Sequence, residues 1–406
     1  MITAVIMFTI IDYLHIIKIK GVVKMDHKMI SINLRRVREE KGLSQSEVAH
    51  LAGISRVAYG RIESGASIPK VSTLQNIADG IDIKLQDLFV PVSTLKKVRF
   101  RATKKMNSRD SILTEVNRWL ENFNYLEKLL KDKHEYKFSK LAQELSAMPA
   151  GHERAKVAAD KARKVLRLTE KEPIRDIAGL LESCGIKVRP LRLASEGFFG
   201  LSVSEHDKGP AIIVNVWERI SVERWIFSAA HELGHLLLHL DAYEVGENNE
   251  NPDEEVEANI FASYFLMPKS AFESEWNDTY GLPFVDRVLK VKLIFRVSYK
   301  TVLYRLSEKT GNSIWGKFKV AYKARTGKTL LLADEPNRLS PDSFQQSPEV
   351  LRSNEPDSIS PSHFIEDRLY KLVRTAIEND EITMSRGAEI LRLDLENMRE
   401  IVGSWV

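Results

Sequence analysis

A single cysteine, Cys184, in 406 residues excludes any intramolecular disulfide and fits a reducing compartment, the cytoplasm. Cys184 precedes Gly185 at an expected helix end among apolar residues, and no basic or helix-N-terminal setting surrounds it. It therefore reads as a buried small hydrophobe rather than a reactive thiol. Charge of one sign is scarce too. The balance of 60 Lys and Arg against 56 Asp and Glu leaves +4, which permits nucleic-acid contact without demanding it. There is no long internal repeat. Residues 2–19 are strongly apolar, broken by Asp12 and His15. They lack the basic segment before and the small-residue cleavage site after that a signal peptide requires. Residues 1–30 are read as an apolar, disordered extension, with Met25 or Met29 as the alternative start, rather than as a membrane anchor.

What is present is ordinary for a globular protein: 43% hydrophobic and 29% charged residues, in a chain long enough for two or three domains. Residues 31–90 read as a compact set of short helices with sharp stops at Gly42, Gly53 and Gly65. Ser44 with Glu47 three residues on forms a capping box, and Ser55 caps the next helix. A basic run from Lys96 to Lys105 reads as solvated linker within a helical linker over 91–170. Helical periodicity is expected at 110–132, 152–168 and 173–183. Three short strands follow at 187–191, 198–203 and 211–216, the last apolar but for Asn215, as a central strand should be. Two helices, 221–240 and 253–266, complete an α+β domain over 171–332. Residues 333–364 read as a flexible Ser/Pro-bearing linker, and 365–406 as a segment of two helices.

His231-Glu232-Leu233-Gly234-His235 lies inside the 221–240 helix. Four residues on a helix advance about 400°, so the two imidazoles share a face one turn apart. That spacing suits one Zn2+ with nitrogen bonds of about 2.0–2.1 Å. Glu232 sits beside the first histidine, where a carboxylate can serve as general base toward a water activated by the metal. The helix is apolar nearly all round, and burying these three groups without partners would be costly. The next helix offers Glu254, Glu255 and Glu257 as third ligand. The E-x-x-A-N spacing known from glutamate-ligated zincins falls on Glu255, with Glu257 as runner-up. Asn259 lies one turn on, placed to orient a ligand histidine from behind. His239 is too close for a third histidine ligand and reads as supporting the site or lining its cleft.

The stretch from His231 to His239, with Glu255 to Ala262 and Leu266-Met267-Pro268, resembles the ImmA/IrrE metallopeptidases over roughly 173–307. The resemblance includes the later Phe295–Ser298 and Tyr304–Leu306 stretches, which in that family form a small unit similar to a helix-turn-helix. It implies a zinc endopeptidase that cleaves a repressor and releases a stress, mobile-element or prophage response.

Residues 44–65 have the organisation of a helix-turn-helix and resemble the Xre/Cro-type repressor domains through Gln45, Ala49, Gly53, Ser55, Ile62, Glu63 and Gly65. In that geometry Arg56, Val57 and Arg61 face base edges of double-stranded DNA, and Gln45 and Ser55 touch phosphates. Gly60 inside the recognition helix departs from good helix formers by about 1 kcal/mol. Such domains read operators as dimers, so a homodimer is expected.

Two functions follow. One is a DNA-binding regulatory endopeptidase cutting a repressor, a toxin or its own linker. The other is a repressor or antitoxin whose peptidase-like domain mainly binds a partner. Nothing favours a particular small-molecule substrate.

Overall fold

The computed structural model describes residues 27–89, 95, 98–102, 109–195, 197–240, 251–331, 334–336, 364 and 367–405. The expected apolar extension lies outside them up to residue 26, as does most of the 333–364 linker. No helix among the described residues is long and apolar enough to cross a membrane. The chain divides into two compact units: residues 1–94 with 107–118, and residues 95–106 with 119–406.

The first unit is a bundle of short helices: α1 (His27–Glu40), α2 (Gln45–Leu51), α3 (Arg56–Glu63), α4 (Val71–Gly80) and a 3-10 turn (Leu85–Phe89). Helices α1, α2 and α3 stop where the sequence marks it, with Gly42, Gly53 and Gly65 all at positive φ. Ser44 closes a full capping box with Glu47, and the Ser55 hydroxyl accepts from the Ala58 N–H. Leu34, Val48, Tyr59, Leu74, Ile77 and Leu88 meet in its core.

The second unit begins with β1 (Val98–Ala102), inside what the sequence presented as solvated linker. The physical reason is the alternation Val98-Arg99-Phe100-Arg101-Ala102, a period of two that a run of basic charge conceals. Next come α5 (Arg109–Leu129), which belongs to this unit from Trp119 on and to the first unit before that, then α6 (Ser139–Ser146), α7 (His152–Val165) and α8 (Ile177–Glu182). Helices α5, α6 and α7 fall within the 91–170 stretch that the sequence presents as a helical linker. Ala155, Ala158, Ala159 and Ala162 give α7 a small, fully buried face, and Phe138, Leu141 and Leu145 bring α6 into the same core. Helix α8 is shorter than expected, because Asp176 caps it by accepting from the Gly179 N–H.

Strands β2 (Lys187–Leu191), β3 (Phe198–Val203) and β4 (Ala211–Asn215) complete a four-stranded sheet in the order β1-β3-β4-β2. The β1/β3 and β3/β4 pairs are antiparallel, and β2/β4 is parallel. Every residue of β4 is buried, as an interior strand requires. Helix α9 (Val222–Leu238) packs on β3 and β4 and against α10 (Pro252–Leu266), which rests in turn on α7. Helices α11 (Lys269–Asp278), α12 (Phe284–Phe295), α13 (Tyr299–Thr310) and α14 (Ser313–Thr326) follow.

The C-terminal segment has three helices rather than two: α15 (Arg368–Glu378), α16 (Met384–Leu391) and α17 (Leu395–Ser404). Arg392 in the left-handed region ends α16, and Asp394 caps α17 by accepting from the Asn397 N–H.

Candidate metal centre and helix-turn-helix surface

Helix α9 carries a fully buried set: His231, Glu232 and His235 each have no exposed surface. Buried Leu233, Leu236 and Leu237 fill the core around them, each worth about 1.5–3 kcal/mol relative to exposure. That packing fixes the helix despite the polar groups it carries. His231 Nε2 and His235 Nε2 are 2.9 Å apart, and the Glu255 carboxylate of α10 lies 3.3 Å from the first and 3.1 Å from the second. His231, His235 and Glu255 thus form a group that could hold a metal ion.

The hydrogen-bond network fixes the histidine tautomers. Asn259 Oδ1 is 3.0 Å from His231 Nδ1, so that nitrogen donates and Nε2 keeps its lone pair. On the other side, Glu257 Oε2 is 3.0 Å from His239 Nε2, and His239 Nδ1 is 2.9 Å from His235 Nδ1. An ionised Glu257 makes His239 Nε2 the donor. His239 Nδ1 then accepts from His235 Nδ1–H, and His235 Nε2 also keeps its lone pair. Two nitrogen lone pairs and a carboxylate converge on one point, an arrangement that repels itself unless an electrophile lies between them. A tetrahedral ion with bonds of about 2.0–2.1 Å sets its ligand atoms roughly 3.3 Å apart, close to the spacing found.

Burial, and then the neighbouring His231, hold His235 well below the ordinary imidazole range, so it is neutral. Burial raises the Glu255 carboxyl, but its contacts with His231 and His235 outweigh that and hold it below its usual range. For Glu257 burial is likewise outweighed, by Arg154, His239 and the Gly151 N–H, and its pKa falls to about 2.

Glu257, the alternative third ligand, is therefore elsewhere. Two residues along a helix turn the side chain by about 200°, onto the other side of α10. There Arg154 of α7 holds it with two bonds of 2.6 Å. Glu254 pairs with Arg99 of β1, which also donates to Glu255 Oε1 at 3.1 Å. His239 caps α9 and backs His235. Glu232 accepts from Ser202 Oγ of β3 at 2.7 Å. Gly200, two residues earlier, lets β3 approach: a Cβ there would lie 2.9 Å from Ile213 O and 3.4 Å from Glu232 Cγ. The sequence reading missed Arg99, Arg154, Gly200 and Ser202 as neighbours of the centre. Only the strand alternations around 98–102 and 198–203 hinted at two of them.

In the first unit, Ser55, Arg56, Val57 and Arg61 are exposed on α3 or at its cap, with Val57 72% accessible. Gln45 is half-buried, and its amide donates to Glu63 Oε1 at 3.1 Å. Glu63, one of the residues that carry the helix-turn-helix resemblance, has a structural role that the sequence did not assign. Buried at the end of α3, it takes a bidentate bond from Arg38 of α1 at 2.7 and 2.9 Å, locking α3 to α1. Ion pairing and hydrogen bonds outweigh burial and hold its carboxyl below the usual range.

Residues 34–88 match a family described as "Helix-turn-helix", and residues 181–307 match one described as "IrrE N-terminal-like domain". The chain is 35% identical over 85 residues to an uncharacterised HTH-type transcriptional regulator of Bacillus subtilis, YqaE, covering 21% of this chain and 73% of that relative. It is 33% identical over 64 residues to the HTH-type transcriptional regulator SutR of Escherichia coli, covering 16% and 36% respectively. Among solved structures, a helix-turn-helix family transcriptional regulator from Vibrio cholerae is 26% identical, with a TM-score of 0.16. That match covers 20% of this chain and spans 51% of the Vibrio regulator.

Proposed function

Because the chain belongs to the HTH-type transcriptional regulators and also carries an IrrE N-terminal-like domain, we propose that it is a DNA-binding regulator with a zinc-dependent endopeptidase as its second unit, cutting a repressor, a toxin or another regulatory protein. The observation that carries this reading is the convergence of His231 Nε2, His235 Nε2 and the Glu255 carboxylate, with Glu232 on the same helix. These donors fit zinc, and those three residues would hold it. When bound, zinc supplies Lewis-acid polarisation of a peptide carbonyl and lowers the pKa of a water nucleophile. Glu232 takes the proton from the attacking water and passes it to the leaving amine as the peptide bond breaks. Ser202 holds its carboxylate in orientation meanwhile. Asn259 and His239 fix the tautomers of His231 and His235.

In the first unit, α3 enters the major groove of double-stranded DNA, with Arg56, Val57 and Arg61 at base edges and Ser55 near a phosphate. Gln45, at the start of α2, reaches a phosphate only with the part of its amide not committed to Glu63. The regulator acts as a homodimer in the cytoplasm.

The relatives' names, all of transcriptional regulators, favour a second reading, in which the peptidase-like unit of a repressor or antitoxin serves to bind a partner. Zinc content of wild type and His235→Ala, with cleavage of co-expressed repressors by wild type and Glu232→Gln, separates the two. About one zinc per chain, lost in His235→Ala, with cleavage that needs Glu232, supports the peptidase. Zinc without cleavage of any candidate supports the second reading. Absence of zinc under metal-replete conditions sinks the metal site.

A further inference from the structure

Strand β1 lies beside the candidate centre without supplying any of its three donors. It pairs with the outer edge of β3, Arg99 opposite Ser202 and Arg101 opposite Gly200. Opposed residues of an antiparallel pair project to the same face of a sheet. Ser202 and Gly200 are the two β3 residues that meet Glu232. The face of β1 bearing Arg99 is therefore turned toward the helix that carries His231, Glu232 and His235. The Arg99 side chain is only 10% exposed and is bound to both Glu254 and Glu255. The oxygen it reaches on Glu255, Oε1, also lies 3.1 Å from His235 Nε2.

A main chain that extends a sheet edge, with one side chain entering an acidic pocket, is how proteins hold an extended peptide by strand addition. We propose that the outer edge of β3 is a docking edge for an extended peptide of alternating apolar and basic residues, and that residues 98–102 of the chain itself fill it in this structure, latched by Arg99. This rests on the peptidase reading above. While the latch holds, an outside peptide finds both the edge and the approach to Glu255 taken. Release of β1 frees both. Glu254 and Glu255 together select a basic side chain at the latch position. In sequence the segment falls between the helix-turn-helix residues and the rest of the second unit, so the stretch that joins them is the one that covers the edge.

The test uses the full chain and a fluorescein-labelled peptide with the sequence of residues 95–106. Its affinity is measured by anisotropy for wild type, Arg99→Lys, Arg99→Ala and Arg99→Glu, with amide hydrogen exchange of 98–102 and 198–203 followed in parallel. Arg99→Glu sets like charges against Glu254 and Glu255. It is expected to bind the peptide at least tenfold tighter than wild type, with Arg99→Ala intermediate and Arg99→Lys close to wild type. Amides 98–102 should exchange at least tenfold faster in Arg99→Glu, and added peptide should restore protection of 198–203. Should Arg99→Glu fail to fold, Arg99→Ala carries the same comparison. Equal affinity in all four proteins overturns the proposal, and so does faster exchange without tighter binding. Neither readout needs catalysis. A protein that binds no zinc would sink the peptidase reading while leaving the docking edge independently scored.

Discussion

Replacing Gly234 with alanine sets two effects against each other at the contact between α9 and α10. A glycine inside a helix costs about 0.8–1.0 kcal/mol relative to alanine, so the substitution alone would stabilise α9 by that amount. The new Cβ, however, would lie 2.9 Å from Phe261 Cδ1 and 3.3 Å from Ala258 Cα. Phe261 is fully buried and stacked on Phe265 at 5.4 Å, and Ala258 presents backbone, so neither yields freely. Overpacking of this kind costs about 1–3 kcal/mol. The net expectation is a loss of roughly 0–2 kcal/mol, with α10 displaced from α9 by a few tenths of an ångström. Glu255 lies one turn before Ala258 and Asn259 on α10, so the displacement separates it from His231 and His235. Metal sites tolerate about 0.2 Å of ligand movement. Zinc affinity should therefore fall about tenfold, the lower end of what lost ligand orientation costs. Urea unfolding of the metal-free protein gives the first quantity, and competition with a chromophoric chelator gives the second. A Gly234→Ala protein about 1 kcal/mol more stable, with unchanged zinc affinity, would refute the close helix contact as the device that sets the site.

Three further outcomes follow from the structure. Loss of the His239 ring removes the acceptor that fixes His235, so His239→Ala should weaken zinc binding by about 10–100-fold with Glu257 still held by Arg154; unchanged affinity would dismiss the histidine pair as support. At Gly60 a Cβ would meet only Gln45 Oε1, at an ordinary 3.6 Å, so Gly60→Ala should stabilise the first unit by about 1 kcal/mol in thermal melts, and a destabilised variant would contradict the geometry. Burial, with Asp367 alongside, pushes the Glu182 carboxyl up to about 8. The folded state then holds a proton that the unfolded chain releases near its ordinary 4.5, so this contribution to stability is full below about 4.5 and lost as pH rises through about 8. Glu182→Gln, which keeps an acceptor for the N–H groups of Asp367 and Arg368, should flatten the fall in Tm between pH 5 and pH 8. Parallel slopes in the two proteins would exclude this group as the cause.

What the sequence carried were patterns closed within a few residues. The Ser44–Glu47 box, the Ser55 cap and the glycine stops depend only on neighbours three or four positions away, and they delimit the helix-turn-helix without knowledge of any partner. Helical period alone puts His231 and His235 on one face, and the run 211–216, apolar but for Asn215, alone reads as an interior strand. The tertiary structure decided the rest. The sequence prefers Glu255 by its spacing and keeps Glu257 as runner-up, and what holds Glu257 away is Arg154 of α7, about a hundred residues earlier. Strand β1 reads as a charged linker because its pattern is five residues long, and it becomes a strand because β3 offers an unpaired edge beside two acidic groups. Local signals determine where elements begin and which side chains share a face. Which faces meet, and so which carboxylate reaches the two histidines, depends on packing between residues far apart in the chain, and the sequence has no short-range pattern in which to record it.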